Sequence, residues 1–378
     1  MHNRIVYLIA FLSINFSLQA KQDENEPRMD FEEYNPKSTL VVPENPVQRA
    51  KYPFIDVHNH QWNLTAERMP KLLSEMDGLN MGTMVNLSGR GFNRFAGDIG
   101  SQEYLREMVD LIKSDGQNRL VAFTNVSFKN IGKPGWTDEA VRQLEEDVKN
   151  GANGLKIYKS LGLNNMDVDG NRVAIDDERI DPIWAKCGEL GIPVLIHSAD
   201  PKSFWDPMDK DNERWLELKL RPRRKRGPNN PAPFEQIIAE QHNVFEKHPN
   251  TTFIAAHFGW MANDLAKLGR FLDSHPNVYV EIGAIIAELG RQPKMANQFF
   301  EKYQDKVLFG KDSYRVEEYY TYFRVLESGD EYFPYYKKYH AFWRMYGLAL
   351  PDHILRKLYY KNALKIIPNI DKSLFPAD

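Results

Sequence analysis

The chain has 378 residues, 42% of them hydrophobic and 27% charged, which is enough to bury a large core without a disulfide or metal holding the fold together. A formal net charge of −3 excludes the overall basic field expected of a nucleic-acid-binding protein. The single cysteine, Cys187, excludes an internal disulfide and any cysteine-rich zinc site.

At the amino end, Arg4 precedes a mostly apolar run from Ile5 to Leu18, then the small Ala20 and the polar Lys21-Gln22-Asp23-Glu24. That order predicts a secretory signal peptide over residues 1–20, although Leu18 stands where a second small residue is preferred. The run is short for a membrane span, and no later segment is long and apolar enough to make one. Export to the periplasm or the exterior is the expectation. Residues 21–52, polar and rich in Pro, Asn and Glu, read as a linker, and 53–378 as one folded domain.

From Phe54 onward, short apolar or β-branched runs alternate with helical patterns. The runs cover 54–60, 82–88, 120–127, 154–158, 193–199, 252–258, 278–283 and 307–312. Helical patterns lie between them at 137–150, 176–190, 234–247, 262–274 and 292–303, several opening on Thr or Asp. Eight strands alternating with helices predict a closed parallel (β/α)8 TIM barrel. No glycine-rich phosphate loop follows the first strand, which argues against an open doubly wound sheet. Two insertions break the rhythm, one after strand 5 (200–233) and one after strand 8 (314–351). The first carries the basic run Arg221-Pro222-Arg223-Arg224-Lys225-Arg226, either a solvated loop or a rim that attracts anions. The aromatic residues of the second are read as packing.

Polar residues close these apolar strands. In Phe54-Ile55-Asp56-Val57-His58-Asn59-His60, alternation puts His58 and His60 on one face, with Ile55 and Val57 toward the helices. His197 ends Val194-Leu195-Ile196, His257 ends the run 253–256, and Asp312 ends the run 307–311. A lone histidine at a strand end is more often structural than a ligand, but that explanation must here hold on four strands, always at the carboxyl end. Imidazole and carboxylate suit zinc and similar divalent ions. His2, His242, His248, His275, His340 and His353 fall in the leader, helices or loops and are read as structural. Lys156, in Gly154-Leu155-Lys156-Ile157-Tyr158, points into the barrel, where an unpaired lysine is expensive to bury. It could pair with Asp56 or Glu281, bind substrate, or be carboxylated and bridge two metals.

Together the motifs Asp56-Val57-His58-Asn59-His60, Gly154-Leu155-Lys156, Pro193 to His197, His257 and Leu308-Phe309-Gly310-Lys311-Asp312 resemble the amidohydrolase superfamily, in its amidohydrolase-related (amidohydrolase 2) branch. Asn362-Ala363 with Ile366-Ile367 is similar to that branch's closing helix, so the likeness runs over about 54–367. It implies that His58, His60, His197 and Asp312 bind one divalent metal, expected to be Zn2+, with Mn2+ or another divalent ion as substitutes. Asp312 would also handle a proton, and His257 would act on the substrate or hold a second metal. Lys156 matches a lysine that some two-metal members carboxylate. The branch usually reads Gly-Thr-Asp or Gly-Ser-Asp where this chain has Gly310-Lys311-Asp312, but alternation turns Lys311 away from the metal. The implied reaction is metal-dependent hydrolysis of a lactone, amide or related bond in a small substrate. The substrate is expected to be carboxylated, because Arg90 and Arg94 follow the second strand and the basic run 221–226 follows the fifth. The alternative is non-oxidative decarboxylation of a carboxylated aromatic or diene acid at the same site, and a third reading is a binding protein on an inactive barrel. No nucleic-acid partner is expected, and no mark of an oligomer interface is readable.

Overall fold

The structure, a computed structural model, describes residues 29–30, 32–93, 98–337 and 343–377. The expected signal peptide, Arg94 and His340 lie outside the described residues. The chain divides into two units, residues 1–38 and 39–378. In the first, Glu33 N–H donates to the Asp30 carbonyl at 3.0 Å to close a turn. All of the described strands and helices fall in the second.

Eight short parallel strands are built from the apolar runs: β1 Phe54–Asn59, β2 Met81–Asn86, β3 Leu120–Ala122 resuming at Thr124–Asn125, β4 Leu155–Ile157, β5 Val194–Ile196, β6 Phe253–Ala255, β7 Val278–Glu281 and β8 Val307–Leu308. Every residue of these strands is buried, as a parallel sheet covered by helices requires. The ladders run β1-β2-β3 and β3-β4-β5-β6-β7-β8. Phe123, between the two halves of β3, joins them: its N–H donates to Asn86 O at 3.0 Å, and Thr124 N–H donates to Gly154 O at 2.8 Å. The last seam closes where Val57 N–H donates to Phe309 O at 3.0 Å and Asp312 N–H to His58 O at 2.6 Å. The expected (β/α)8 barrel is therefore the observed fold.

A helix follows each strand: α1 Met69–Leu79, α2 Gln102–Asp115, α3 Trp136–Lys149, α4 Asp181–Glu189, α5 Phe234–Lys247, α6 Leu265–Ser274, α7 Pro293–Tyr303 and α8 Val316–Glu327. Their local signals differ. Asp264 caps α6 by accepting from Lys267 N–H at 2.9 Å, while Pro293 opens α7 at the turn where its missing N–H is not needed. Part of the stretch expected as an insertion after β8 is α8 itself, with Tyr319, Tyr322 and Phe323 fully buried. Phe54 packs against Phe309, Phe323 and Tyr359 at centroid distances of 4.7, 5.4 and 6.0 Å, which locks the closing seam to α8 and the carboxyl-terminal helical turns. Asn362 anchors those turns by donating to the carbonyl of Val307 at 2.8 Å. No helix among the described residues is long and apolar enough to cross a membrane.

One expectation about charge is corrected. Arg90 does not face a substrate: it is buried, its Nε donates to Asp147 at 2.8 Å, and its Nη1 donates to Gln143 at 2.8 Å. Gln102 and the Thr124 hydroxyl also donate to Asp147, so one carboxylate on α3 knits β3, α2 and the loop after β2. Removing it strands a buried guanidinium. Asp147→Ala is expected to lower the unfolding free energy by about 3–5 kcal/mol, read by denaturant titration.

Candidate metal centre

The first strand carries a bulge. Asp56 pairs with Met84 and Asn59 with Asn86, three steps on β1 against two on β2. The extra residue breaks strict alternation, so the carboxylate of Asp56 meets α8, accepting from Tyr319 OH at 2.6 Å, and also accepts from Asn59 Nδ2 at 2.8 Å. Lys311 N–H adds a bond at 3.1 Å. Burial pushes the Asp56 carboxyl up to about 6, its hydrogen bonds opposing. The pairing of Asp56 with Lys156 considered from the sequence is thus not made. His58 and His60 nonetheless converge, their Nε2 atoms lying 3.5 and 3.8 Å from Asp312 Oδ1.

Glu281, at the end of β7, sets the chemistry of His58. Its Oε1 lies 2.9 Å from His58 Nδ1 and accepts from His257 N–H at 2.7 Å, while Oε2 accepts from Gly283 N–H at 2.6 Å. Nδ1 of His58 therefore holds the proton, and Nε2 presents its lone pair to the barrel mouth. Gly310 has no side chain because a Cβ there would run into Glu281 Oε2 and come within 3.0 Å of the His58 Cβ. Sequence reading met Glu281 only as a partner for Lys156. A charged residue closing Val278-Tyr279-Val280 is the same signal that marked the histidines.

The sixth strand ends earlier than the expected 252–258. After Ala255 the chain enters a turn in which His257, Phe258, Gly259 and Trp260 all take left-handed backbone angles, φ between 55° and 58°. L-residues pay roughly 1–2 kcal/mol each for this. The bond from His257 N–H to Glu281 holds the turn, as does His257 Nδ1–H, which donates to Gly283 O at 2.6 Å. The lone pair of His257 then lies on Nε2, 3.3 Å from His197 Nδ1, which must donate. That leaves the lone pair of His197 on Nε2, buried and without a hydrogen-bond partner among the described residues, as is Nδ1 of His60.

Ligand atoms of His58, His60 and Asp312 all lie within 4.8 Å of one another, as do those of His58, His257 and Glu281. In the second group the Nδ1 atoms are engaged with Glu281 and Gly283, so the first is the open donor set. His197 stands apart from it, its ring 6.5 Å from that of His58 and 4.3 Å from that of His257. Burial lowers the pKa of His58, His60 and His197, keeping the imidazoles neutral with lone pairs available. These residues fit a divalent cation. Lys156 complicates the fit. Its Nζ lies 3.2 Å from Nε2 of His58, and burial lowers its pKa to about 8 against the fields of Asp312 and Glu281. It makes no ion pair among the described residues. Lys311 turns away as expected, its Nζ bonded to Glu318 at 2.5 Å.

Two features at the mouth escaped sequence reading. Trp62 stacks on His60 with centroids 5.3 Å apart and an interplanar angle of 3°, and Tyr158 completes the stack at 5.9 Å from each. Trp260 packs 4.7 Å from His257. Within the basic run, Arg226 is committed to Asp200 and Arg224 to Glu217, while Arg221, Arg223 and Lys225 are exposed. Glu281→Gln keeps the volume but loses the charge that polarises His58. It is expected to weaken divalent-metal affinity roughly 10–100-fold, measured by chelator competition.

A sequence profile of the amidohydrolase family matches residues 55–368. No curated protein sequence matches the chain. Among solved structures it is similar to an uncharacterized TIM-barrel protein from Bordetella bronchiseptica (14% identity, 84% of this chain and 99% of that one, TM-score 0.51). It is also similar to a 2,6-dihydroxybenzoate decarboxylase (13%, 83% and 99%, TM-score 0.50) and to a 4-oxalomesaconate hydratase from Rhodopseudomonas palustris (13%, 85% and 97%, TM-score 0.50). At these identities the structural likeness concerns the fold alone, and the family rests on the profile that spans the barrel. The chain belongs to the amidohydrolase family.

Proposed function

We propose that this amidohydrolase-family enzyme is a metal-dependent hydrolase acting on a lactone, amide or related bond of a small substrate. The observation that carries the reading is the open donor set of His58, His60 and Asp312, with the lone pair of His58 aimed by Glu281. His197, with its unpartnered Nε2, is the fourth ligand we assign. Bound there, a divalent ion, Zn2+ in our expectation, would acidify a water and polarise the scissile carbonyl. Asp312, 37% exposed at the mouth, takes the proton of the attacking water and returns it to the leaving group. His257 or Lys156 would stabilise the developing oxyanion as a donor. Lys156 as a neutral amine is also the group that carboxylation would convert into a ligand for a second ion. The exposed Arg221, Arg223 and Lys225 support a carboxylated substrate, and we place the mature enzyme outside the cytoplasm on the strength of residues 1–20.

One observation favours a second reading, decarboxylation of an aromatic acid: the near-parallel stack of Trp62, His60 and Tyr158 offers a planar ring a flat wall beside the proposed ligands. The two reactions separate in one assay. On a panel of carboxylated lactones, amides and aromatic acids, the hydrolase opens the lactone or amide without gas. Carbon dioxide released from an aromatic acid, with no hydrolysis of any member, transfers the assignment to the lyase. Elemental analysis tests the centre itself: the wild type is expected to hold metal stoichiometrically, and His58→Ala to lose both metal and turnover. Full metal content in that variant would remove the centre from His58.

A further inference from the structure

A cleft of about 140 Å³ opens beside the histidines, lined by the segment after β5, by the left-handed turn after β6 and by the residues after β7. All three segments leave carboxyl ends of strands, the face where the donor set lies. Trp260 forms the shared wall, packed on His257 at 4.7 Å and on His197 at 5.9 Å. Among the lining residues, Trp260 and Glu288 each carry a buried polar atom without a hydrogen-bond partner among the described residues: Nε1 of Trp260, a donor, and Oε2 of Glu288, an acceptor. The Glu288 side chain is only 10% exposed. Such atoms are expensive to leave unsatisfied, and a ligand that reaches both would engage them.

The charges in the cleft say what kind of ligand that is. Each lining acid already has a cation: Asp206 with Lys202 at 2.8 Å, Glu213 with Arg291 at 2.9 Å, Asp211 with Lys210 at 3.0 Å, and Glu288 through its Oε1 with Arg214. The cations that line the cleft, Lys202 and Arg214, are already paired with Asp206 and Glu288, so an anion would lie against Glu288 without a further charge to balance it, and a cation could not accept from the indole. We propose that this cleft is a substrate subsite for a neutral group that both donates and accepts hydrogen bonds, a carboxamide or hydroxyl, held between Trp260 Nε1 and Glu288 Oε2. Trp260 thereby sets the distance between that group and the reacting carbonyl. This deepens the reading above, and rests on it for the statement that the ligand is a substrate.

Three near-isosteric probes decide the matter: benzamide donates and accepts, benzoate only accepts, and benzamidine only donates. In protein labelled with ¹⁵N at its seven tryptophans, the indole cross-peak of Trp260 is identified by its loss in Trp260→Phe. Titration with benzamide is expected to shift that peak to saturation, while benzoate and benzamidine leave it in place at the same concentration. Glu288→Gln is expected to weaken benzamide roughly ten-fold. Trp260→Phe, followed by calorimetry, is expected to lose a similar factor, so the test survives a poorly folding Glu288 variant. A peak unmoved by benzamide, or moved with comparable affinity by either charged probe, overturns the subsite. Because the readout is binding rather than turnover, that failure leaves the hydrolase reading standing, and a failure of hydrolysis leaves the subsite standing.

Discussion

The carboxylate of Glu281, wholly buried, accepts from His58 Nδ1, His257 N and Gly283 N, and so joins the first, sixth and seventh strands at the level where the polar residues gather. A charge in that position costs several kcal/mol unless nearly every lone pair is engaged. The surroundings meet that condition: Oε1 takes two N–H groups, Oε2 takes one, and Gly310 leaves the space the second oxygen fills. Burial still raises the Glu281 carboxyl above its ordinary value, with His257 and the backbone donors pulling the other way. Orientation of His58, the direction of its lone pair and the position of His257 all follow from this one anchoring.

The left-handed turn from His257 to Trp260 depends on the same anchor. Three L-residues and one glycine there adopt a conformation they do not choose alone, and the bonds to Glu281 and Gly283 O offset the cost. In return, one tight turn presents His257 to the donor set and Trp260 to the neighbouring cleft. A strand continued to Phe258, as the sequence suggested, would have separated those two side chains. Strain here brings His257 and Trp260 within one turn of chain.

Much of this was legible because barrels punctuate themselves. Eight apolar runs marked the strands, and His58, His60, His197, His257 and Asp312 at the ends of four of them marked the rim that carries the polar residues. The turn of Lys311 away from the metal face followed from alternation. What stayed hidden needed three dimensions. Asp56 was misdirected because a bulge of one residue in β1 breaks the alternation that the reading assumed. Arg90 looked like a rim cation because its partner, Asp147, sits on a helix more than fifty residues away, where spacing carries no signal. The role of Glu281 was invisible for a related reason: β7 and β1 are not neighbours, and Gly310, just past the intervening β8, leaves the space in which carboxylate and imidazole meet. Trp260 and Glu288 gave no signal either, since a tryptophan in a turn and a glutamate in a short helix are ordinary until their buried atoms are found without partners among the described residues.

The seam between β1 and β8 has a consequence of its own. His58 and His60 stand on one side of it and Asp312 on the other, while the bond from Lys311 N–H to Asp56 spans 255 positions of sequence. A chain arrested after seven strands, however well packed, carries His58 and His60 but lacks Asp312, and so holds only part of the donor set. The set is thereby assembled only once the two ends of the barrel have met.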